Sequence, residues 1–179
     1  MALVGLKNLY YAVISADSDS GTTYGTPKKI GNAVSVDINP STQKAALYGD
    51  DMAVATATSM GEVTVTIETT DIPLEDLATL LGATADSQTG EIIFKSSDVA
   101  PYVGLAFESE KHDGGIRCMK LLKGKFAQTQ ESMQTKGEQI EYTVPKIEGT
   151  FVARQSDGGW KIFKDVEAGS NTNTWYTTF

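Results

Sequence analysis

The stretch GEVTVTIETTDIPLEDLATLLG, residues 61–82, runs a period-2 strand straight into a helix, and the rest of the chain reads outward from it. Val63, Val65 and Ile67 alternate with Thr64, Thr66 and Glu68, so one face of the strand is apolar and the other polar. Asp71 can offer a carboxylate to the unpaired N–H groups of a first turn, Pro73 stands where its missing donor is harmless, and Gly82 suits a left-handed stop. Leu74, Leu77, Leu80 and Leu81 fall on one helical face. A helix with a single apolar stripe has to bury it, and the nearest surface is the apolar face of the same sheet. The leucines are structural, and function has to lie elsewhere.

Toward the N-terminus, residues 8–15 (NLYYAVIS) read as a strand followed by the loop ADSDSGTTYGTP. Val34, Val36 and Ile38 then alternate with Ser35 and Asp37. Residues 41–59, STQKAALYGDDMAVATATS, are small and polar around an acidic turn at Gly49-Asp50-Asp51, and Leu47 and Met52 are poor material for a core. This segment is expected to project from the body. Toward the C-terminus, strands are expected over 91–95, 102–108 (with Gly104 marking a bulge), 116–122 after the turn KHDGG, 125–130, 139–144, 146–153 and 160–163. The polar MQTKGEQ is a loop, and Pro145 suits an edge or a bend. The fold class is mainly β: a single-domain β-sandwich or partly closed barrel with one short flanking α-helix over residues 1–168. Residues 169–179, GSNTNTWYTTF, form a C-terminal extension with no assignable period, either an arm or a disordered end.

The chain's 179 residues are enough for one domain with a core, and its net charge of −8 opposes a long-range grip on nucleic acid. The single cysteine, Cys118, allows no internal disulfide. The opening MALVGLKNLYYA carries no long apolar run, so no secretory signal and cytoplasmic synthesis are expected. The only histidine, His112, sits in the KHDGG turn without a local nucleophile-and-base motif, so no catalytic residue is assigned. ADSDSG resembles the start of a calcium loop, but Gly21 stands where an oxygen ligand is needed and no glutamate follows at the right distance. No metal or cofactor site is assigned. Arg117, Lys120, Lys123 and Lys125 cluster without interleaved aromatics, which reads as a solvated strand face.

Taken in order, the blocks MALVGLKNLYYAV, TYGTPKKI, NPSTQKAALYGDD, GEVTVTIETTDIPLEDLATLLG, APYVGLAFES, RCMKLLKGKF and MQTKGEQIEYTVPKIEGTF resemble the major tail proteins, or tail tube proteins, of long-tailed bacteriophages and prophages of Gram-positive hosts. The resemblance runs from Met1 to about Lys164. It implies a structural virion protein and not an enzyme, made in the host bacterial cytoplasm, whose hexameric rings stack into the tail tube, the conduit for DNA ejection. It brings no cofactor. The implied partners are further copies of the chain, the tape measure protein, the tail terminator and the distal tail proteins; DNA passes without specific binding, and no membrane is involved. An acidic wall would keep phosphates from sticking as they slide. The alternative is a β-sandwich adhesion or carbohydrate-binding module, which would be a monomer with exposed aromatic platforms.

Within that frame the polar strand faces need a solvent, so Ser35, Asp37, Thr64, Thr66 and Glu68 are expected to face the lumen. Ala45, Leu47, Tyr48, Asp50, Asp51 and Met52 of the projecting segment are expected to contact the next ring. Trp175, Tyr176 and Phe179 are expected to dock on a neighbouring subunit as an arm.

Overall fold

The computed structural model describes residues 3–49, 52–86, 88–129 and 144–179. Strand β1 (Leu3–Ser18) turns back into β2 (Gly21–Tyr24), and after the short β3 (Lys28–Lys29) come two long strands, β4 (Ala33–Gly49) and β5 (Met52–Thr69). Helix α1 (Leu74–Leu81) precedes the two-residue strands β6 (Thr84–Ala85) and β7 (Ile92–Ile93). The second half carries β8 (Val103–Lys111), β9 (Ile116–Ala127), β10 (Lys146–Phe151), β11 (Lys161–Val166) and one helical turn, α2 (Asn173–Thr177). The main antiparallel sheet runs β2-β1-β8-β9-β10-β5-β4, with β3 on β1 and β11 on β9, while β6 and β7 pair by themselves. The mainly β, sandwich-like fold expected from the alternation is observed. It does not close into a barrel, since β2 and β4 end the path without pairing to each other.

The period-2 pattern of β5 does what its chemistry requires: Val63, Val65 and Ile67 are fully buried, while Thr64, Thr66 and Glu68 are half-buried on the opposite face. The buried side chains join Leu9, Tyr11, Leu105, Leu121 and Phe151 in one core. Each of these contributes roughly 1.5–3 kcal/mol by leaving water. The Phe151 ring lies so close to the backbone of β9 that a Cβ at Gly124 would meet it at 2.5 Å. It also packs edge-on against Phe126, with centroids 6.0 Å apart.

Helix α1 ends as expected at Gly82, with φ 72°. Its start corrects the expectation, because Pro73 and not Asp71 occupies the N-cap and no side chain caps the turn. The residue before a proline is held out of the α region, and Ile72, buried there, keeps the approach extended. The apolar stripe is shorter than four leucines: Leu80 is fully buried and Leu77 and Leu81 partly, but Leu74 is 58 % exposed. The helix meets the core through its later residues and leaves its first turn overhanging. Tyr11 of β1 donates its hydroxyl to Asp76 at 2.7 Å and ties the helix to the sheet.

Strand β4 runs through Pro40, which an edge strand tolerates, with a register shift between Pro40 and Thr42. The ladder also slips at Gly104, with the extra residue on β9. The strand expected over 91–95 reduces to Ile92–Ile93, and β10 and β11 cover Lys146–Phe151 and Lys161–Val166. The MQTKGEQ loop (133–139) and all but Val144 of the strand expected over 139–144 lie outside the described residues.

Candidate assembly surfaces

Because β4, β5 and β10 pair in register, their polar alternates gather on one face of the sheet. Asn39, Thr64 and Thr150 form one cross-strand row, Asp37, Thr66 and Glu148 the next, and Ser35, Glu68 and Lys146 a third. Lys125 of β9 extends the first row. The five residues singled out from the sequence, Ser35, Asp37, Thr64, Thr66 and Glu68, are therefore brought together opposite the core. Lys146, Glu148 and Thr150 share the face and were missed, although their alternation with Ile147, Gly149 and Phe151 carried the signal. Glu68 receives Ser35 Oγ at 2.9 Å and pairs with Lys146 Nζ at 2.8 Å. The Lys146 hydrogen bond, then that of Ser35, holds the Glu68 carboxyl below its ordinary range.

The second surface is the far half of the β4–β5 hairpin. β10 stops at the level of Val63, and from Thr42↔Met60 to Gly49↔Met52 the two strands pair, among the described residues, only with each other. Thr42, Gln43, Lys44, Ala46, Thr56, Thr58, Ser59 and Met60 are all exposed. The expectation of a projecting segment is met by a two-stranded ribbon, a form that is marginally stable alone in water. Ala45, Leu47, Tyr48 and Met52 belong to this ladder, while Asp50 and Asp51 lie outside the described residues.

The third surface is the outer face of β8 and β9, where alternation vanishes because both faces are covered. Leu105, Phe107, Met119 and Leu121 point to the core, while Gly104, Ala106, Glu108, Cys118 and Lys120 are buried on the other side. The C-terminal residues are the cover. Tyr176, 2 % exposed, stacks on Tyr10 with centroids 5.1 Å apart and donates its hydroxyl to Glu108. Asn8, held at φ 54°, donates Nδ2 to the same carboxylate at 2.7 Å. Phe179 packs on Tyr24, and a Cβ at Gly104 would meet those two rings at 2.8–2.9 Å. Lys120 donates to the Thr178 carbonyl and lies 4.2 Å from the Trp175 ring centre. In the single chain, then, all three aromatics expected of an arm rest on their own sheet. Burial pushes the Lys120 ammonium down and the Cys118 thiol up. Burial, then the bond to Glu108, raises the Tyr176 hydroxyl well above its ordinary value.

The remaining candidates are structural or exposed. His112 is exposed in the β8–β9 turn. Asp17, from the calcium-like ADSDSG, pairs with Lys123 Nζ at 2.6 Å and receives Thr22 Oγ1 at 2.8 Å, which fastens the β1–β2 hairpin to β9. The basic cluster is not a uniformly solvated face, which corrects that expectation. Arg117 bonds Asp165 through two nitrogens, Lys120 is buried, Lys123 holds Asp17, and Lys125 stands over the Tyr102 ring at 4.3 Å. Aromatic partners exist after all, brought from Tyr102 and Trp175, which no local spacing could reveal.

Among the described residues, no group of three His, Cys, Asp or Glu is placed to hold a metal ion, and no helix is long and apolar enough to cross a membrane. No curated protein sequence matches the chain. The model of the phage tail tube proteins, by contrast, matches residues 1–177, and with this open β fold behind the match the chain belongs to the phage tail tube protein family, structural components of the virion tail.

Proposed function

We propose that the chain polymerises head-to-tail into rings of six, and that the rings stack as the wall of a tube through which DNA is ejected into the host. The observation that carries this reading is the ribbon formed by residues 42–49 and 52–60, a long ladder with no third strand beside it among the described residues. Backbone hydrogen bonds contribute only about 0.5–1.5 kcal/mol net each, against about 1–2 kcal/mol for ordering each residue, so such a ribbon persists by packing on a partner. In a stack that partner is the next ring, met through Ala45, Leu47, Tyr48, Asp50, Asp51 and Met52. A repeated head-to-tail contact closes as a ring in one direction and propagates along the other.

The polar rows of β4, β5 and β10 line the lumen in this reading. Their hydroxyls and carboxylates offer a sliding phosphate backbone little to hold, and the two lysines in the rows are outnumbered by Asp37, Glu68 and Glu148. The tape measure protein would occupy the same lumen before ejection, with the terminator and distal tail proteins capping the two ends. Synthesis in the host cytoplasm precedes assembly. Electron microscopy of the purified chain is expected to show rings or tubes. A persistently monomeric chain that binds glycans through exposed aromatics would replace this reading with the adhesion module.

A further inference from the structure

We infer that the cavity between β11 and the C-terminal residues is a binding site for a tetrahedral oxoanion, inorganic phosphate being the simplest, held between the ammonium groups of Lys120 and Lys164. The cavity measures about 240 Å³, room for such an ion with water around it, and both lysines line it. Lys120 of β9 is buried, and its Nζ lies 4.2 Å from the ring centre of Trp175. Lys164 of β11 is exposed and places its Nζ 6.0 Å from the same centre. The two strands are adjacent, with Lys164 opposite Cys118 and Ile162 opposite Lys120, so both lysines belong to one face of the sheet. Asn171 and Thr174 line the same cavity and bring an amide and a hydroxyl as further donors.

Charge is what singles this cavity out. No Asp or Glu lines it, and among the described residues neither lysine forms an ion pair. The two neighbouring carboxylates are engaged elsewhere. Glu108 of β8 stands opposite Cys118 and is held by Asn8 and Tyr176, while Asp165 alternates onto the other face of β11 and pairs with Arg117 and Lys111. Among the described residues Lys120 therefore has only the Thr178 carbonyl and the rings of Trp175 and Phe179 to offset its lost hydration. That exchange is a poor one for a buried charge, and burial, with the Lys164 charge adding to it, pushes the Lys120 ammonium down. An oxoanion between the two lysines pairs the buried charge and shields each ammonium from the other. Donors of the Asn171 and Thr174 kind lie off the line between the lysines, which suits oxygens arranged tetrahedrally better than a halide or a planar carboxylate. Bound there, the ion fastens β9 and β11 to the C-terminal cover of the same chain. No residue of the polar rows or of the ribbon lines the cavity, so the tube reading stands or falls separately.

Trp175, walled against both lysines, is the reporter. The chain has two tryptophans, so Trp160→Phe leaves the emission of Trp175 alone. Titration with inorganic phosphate, at an ionic strength held constant with sodium chloride, is expected to change that emission along a one-site curve with half-saturation near about 1 mM. The Tm should rise in parallel, as it does for any ligand of the folded state. In the same background Lys164→Gln, at an exposed position, is expected to weaken binding by roughly tenfold or more, and Lys120→Met to remove it. Lys161→Gln takes the same charge from the same strand outside the cavity and should bind within about twofold of the parent. No response beyond that to chloride alone, or a Lys164→Gln chain that binds as tightly as the parent, overturns the site; the exposed variant decides the matter even where Lys120→Met does not fold. A DNA oligonucleotide without a terminal phosphate is expected not to displace the ion. Displacement at equal phosphate concentration would assign the cavity to a nucleic-acid backbone and overturn the free-ion assignment.

Discussion

β4 and β5 form one ladder from Ala33↔Thr69 to Gly49↔Met52, yet its two halves are held by different means. In the base half, Val63, Val65 and Ile67 enter the core, Val36 and Ile38 pack against it, and β10 pairs along the open side of β5. In the far half no third strand joins among the described residues, and the described side chains are exposed. The dividing line is chemically marked: β10 ends opposite Val63, and the register shifts between Pro40 and Thr42. The same hydrogen-bonded geometry thus serves folding on one side of that line and, in our reading, assembly on the other. What separates the two is burial and not backbone pairing.

The largest effect comes from attacking the base. Phe151→Ala removes the ring that rests on Gly124 and closes the core beside Val63, and it is expected to lower unfolding free energy by about 3–5 kcal/mol in urea titrations. Replacing residues 45–55 by a short turn is expected to change that free energy by less than about 0.5 kcal/mol while abolishing tubes in micrographs. Global unfolding of the deletion would erase the distinction between the halves. Hydrogen exchange gives the next contrast. Amides of residues 63–68 should exchange only through global unfolding, whereas those of 42–46 and 56–60 should exchange within roughly tenfold of an unstructured peptide in the free chain and become protected in tubes. Equal protection of both halves in the free chain would mean that the ribbon needs no partner.

How much of this was legible depended on whether a face was covered once or twice. β5 and β10 show their alternation because one side is core and the other is not, so the polar rows could be read from Thr64, Thr66 and Glu68 directly. The ribbon was legible through its small residues, which cannot form a core. The strand at β8 was expected, but the cover on its outer face was not legible, because Gly104, Ala106 and Glu108 are buried beneath residues some 70 positions away, and the reason for the small side chains appears only with Phe179 and Tyr176 in place. Lys120 likewise reads as one more surface lysine until Trp175 and Thr178 close over it. The helix start was misread because Asp71 has the chemistry of a cap but stands two residues ahead of the N-cap position, which Pro73 occupies, with Ile72 buried between them.

A smaller effect separates the polar face of the base from its core face. Thr66→Cys, in a Cys118→Ala background, is expected to shift stability by no more than about 0.5 kcal/mol, since the residue is half-buried with Thr hydroxyls and carboxylates around it. In tubes its thiol should react with a small maleimide and be shielded from a maleimide carried on a polymer too large for the lumen. Reaction with both reagents would put this face on the outside of the tube, and reaction with neither would bury it between subunits.

The smallest effect concerns the ion pair that ends the polar rows. Glu68 has its carboxyl lowered from an ordinary 4.5 by the hydrogen bond from Lys146, then by that from Ser35. A carboxyl depressed in the folded state stabilises above its unfolded value and loses that contribution as pH falls through the folded one. Lys146 is exposed and Glu68 only half-buried, so water and salt reach and screen the pair and its contribution is small. Lys146→Gln is therefore expected to be slightly less stable than the parent above about pH 5, with the two unfolding curves converging as pH drops below the depressed value and the carboxylate protonates in both. Ser35→Ala should give the same pattern more weakly, in keeping with the order of the two causes. Added salt should shrink the Lys146→Gln difference at neutral pH. A difference that persists unchanged at acid pH and high salt would mean that Lys146 supports β10 through the packing of its aliphatic stem, and the base of the hairpin would then owe nothing to its polar face.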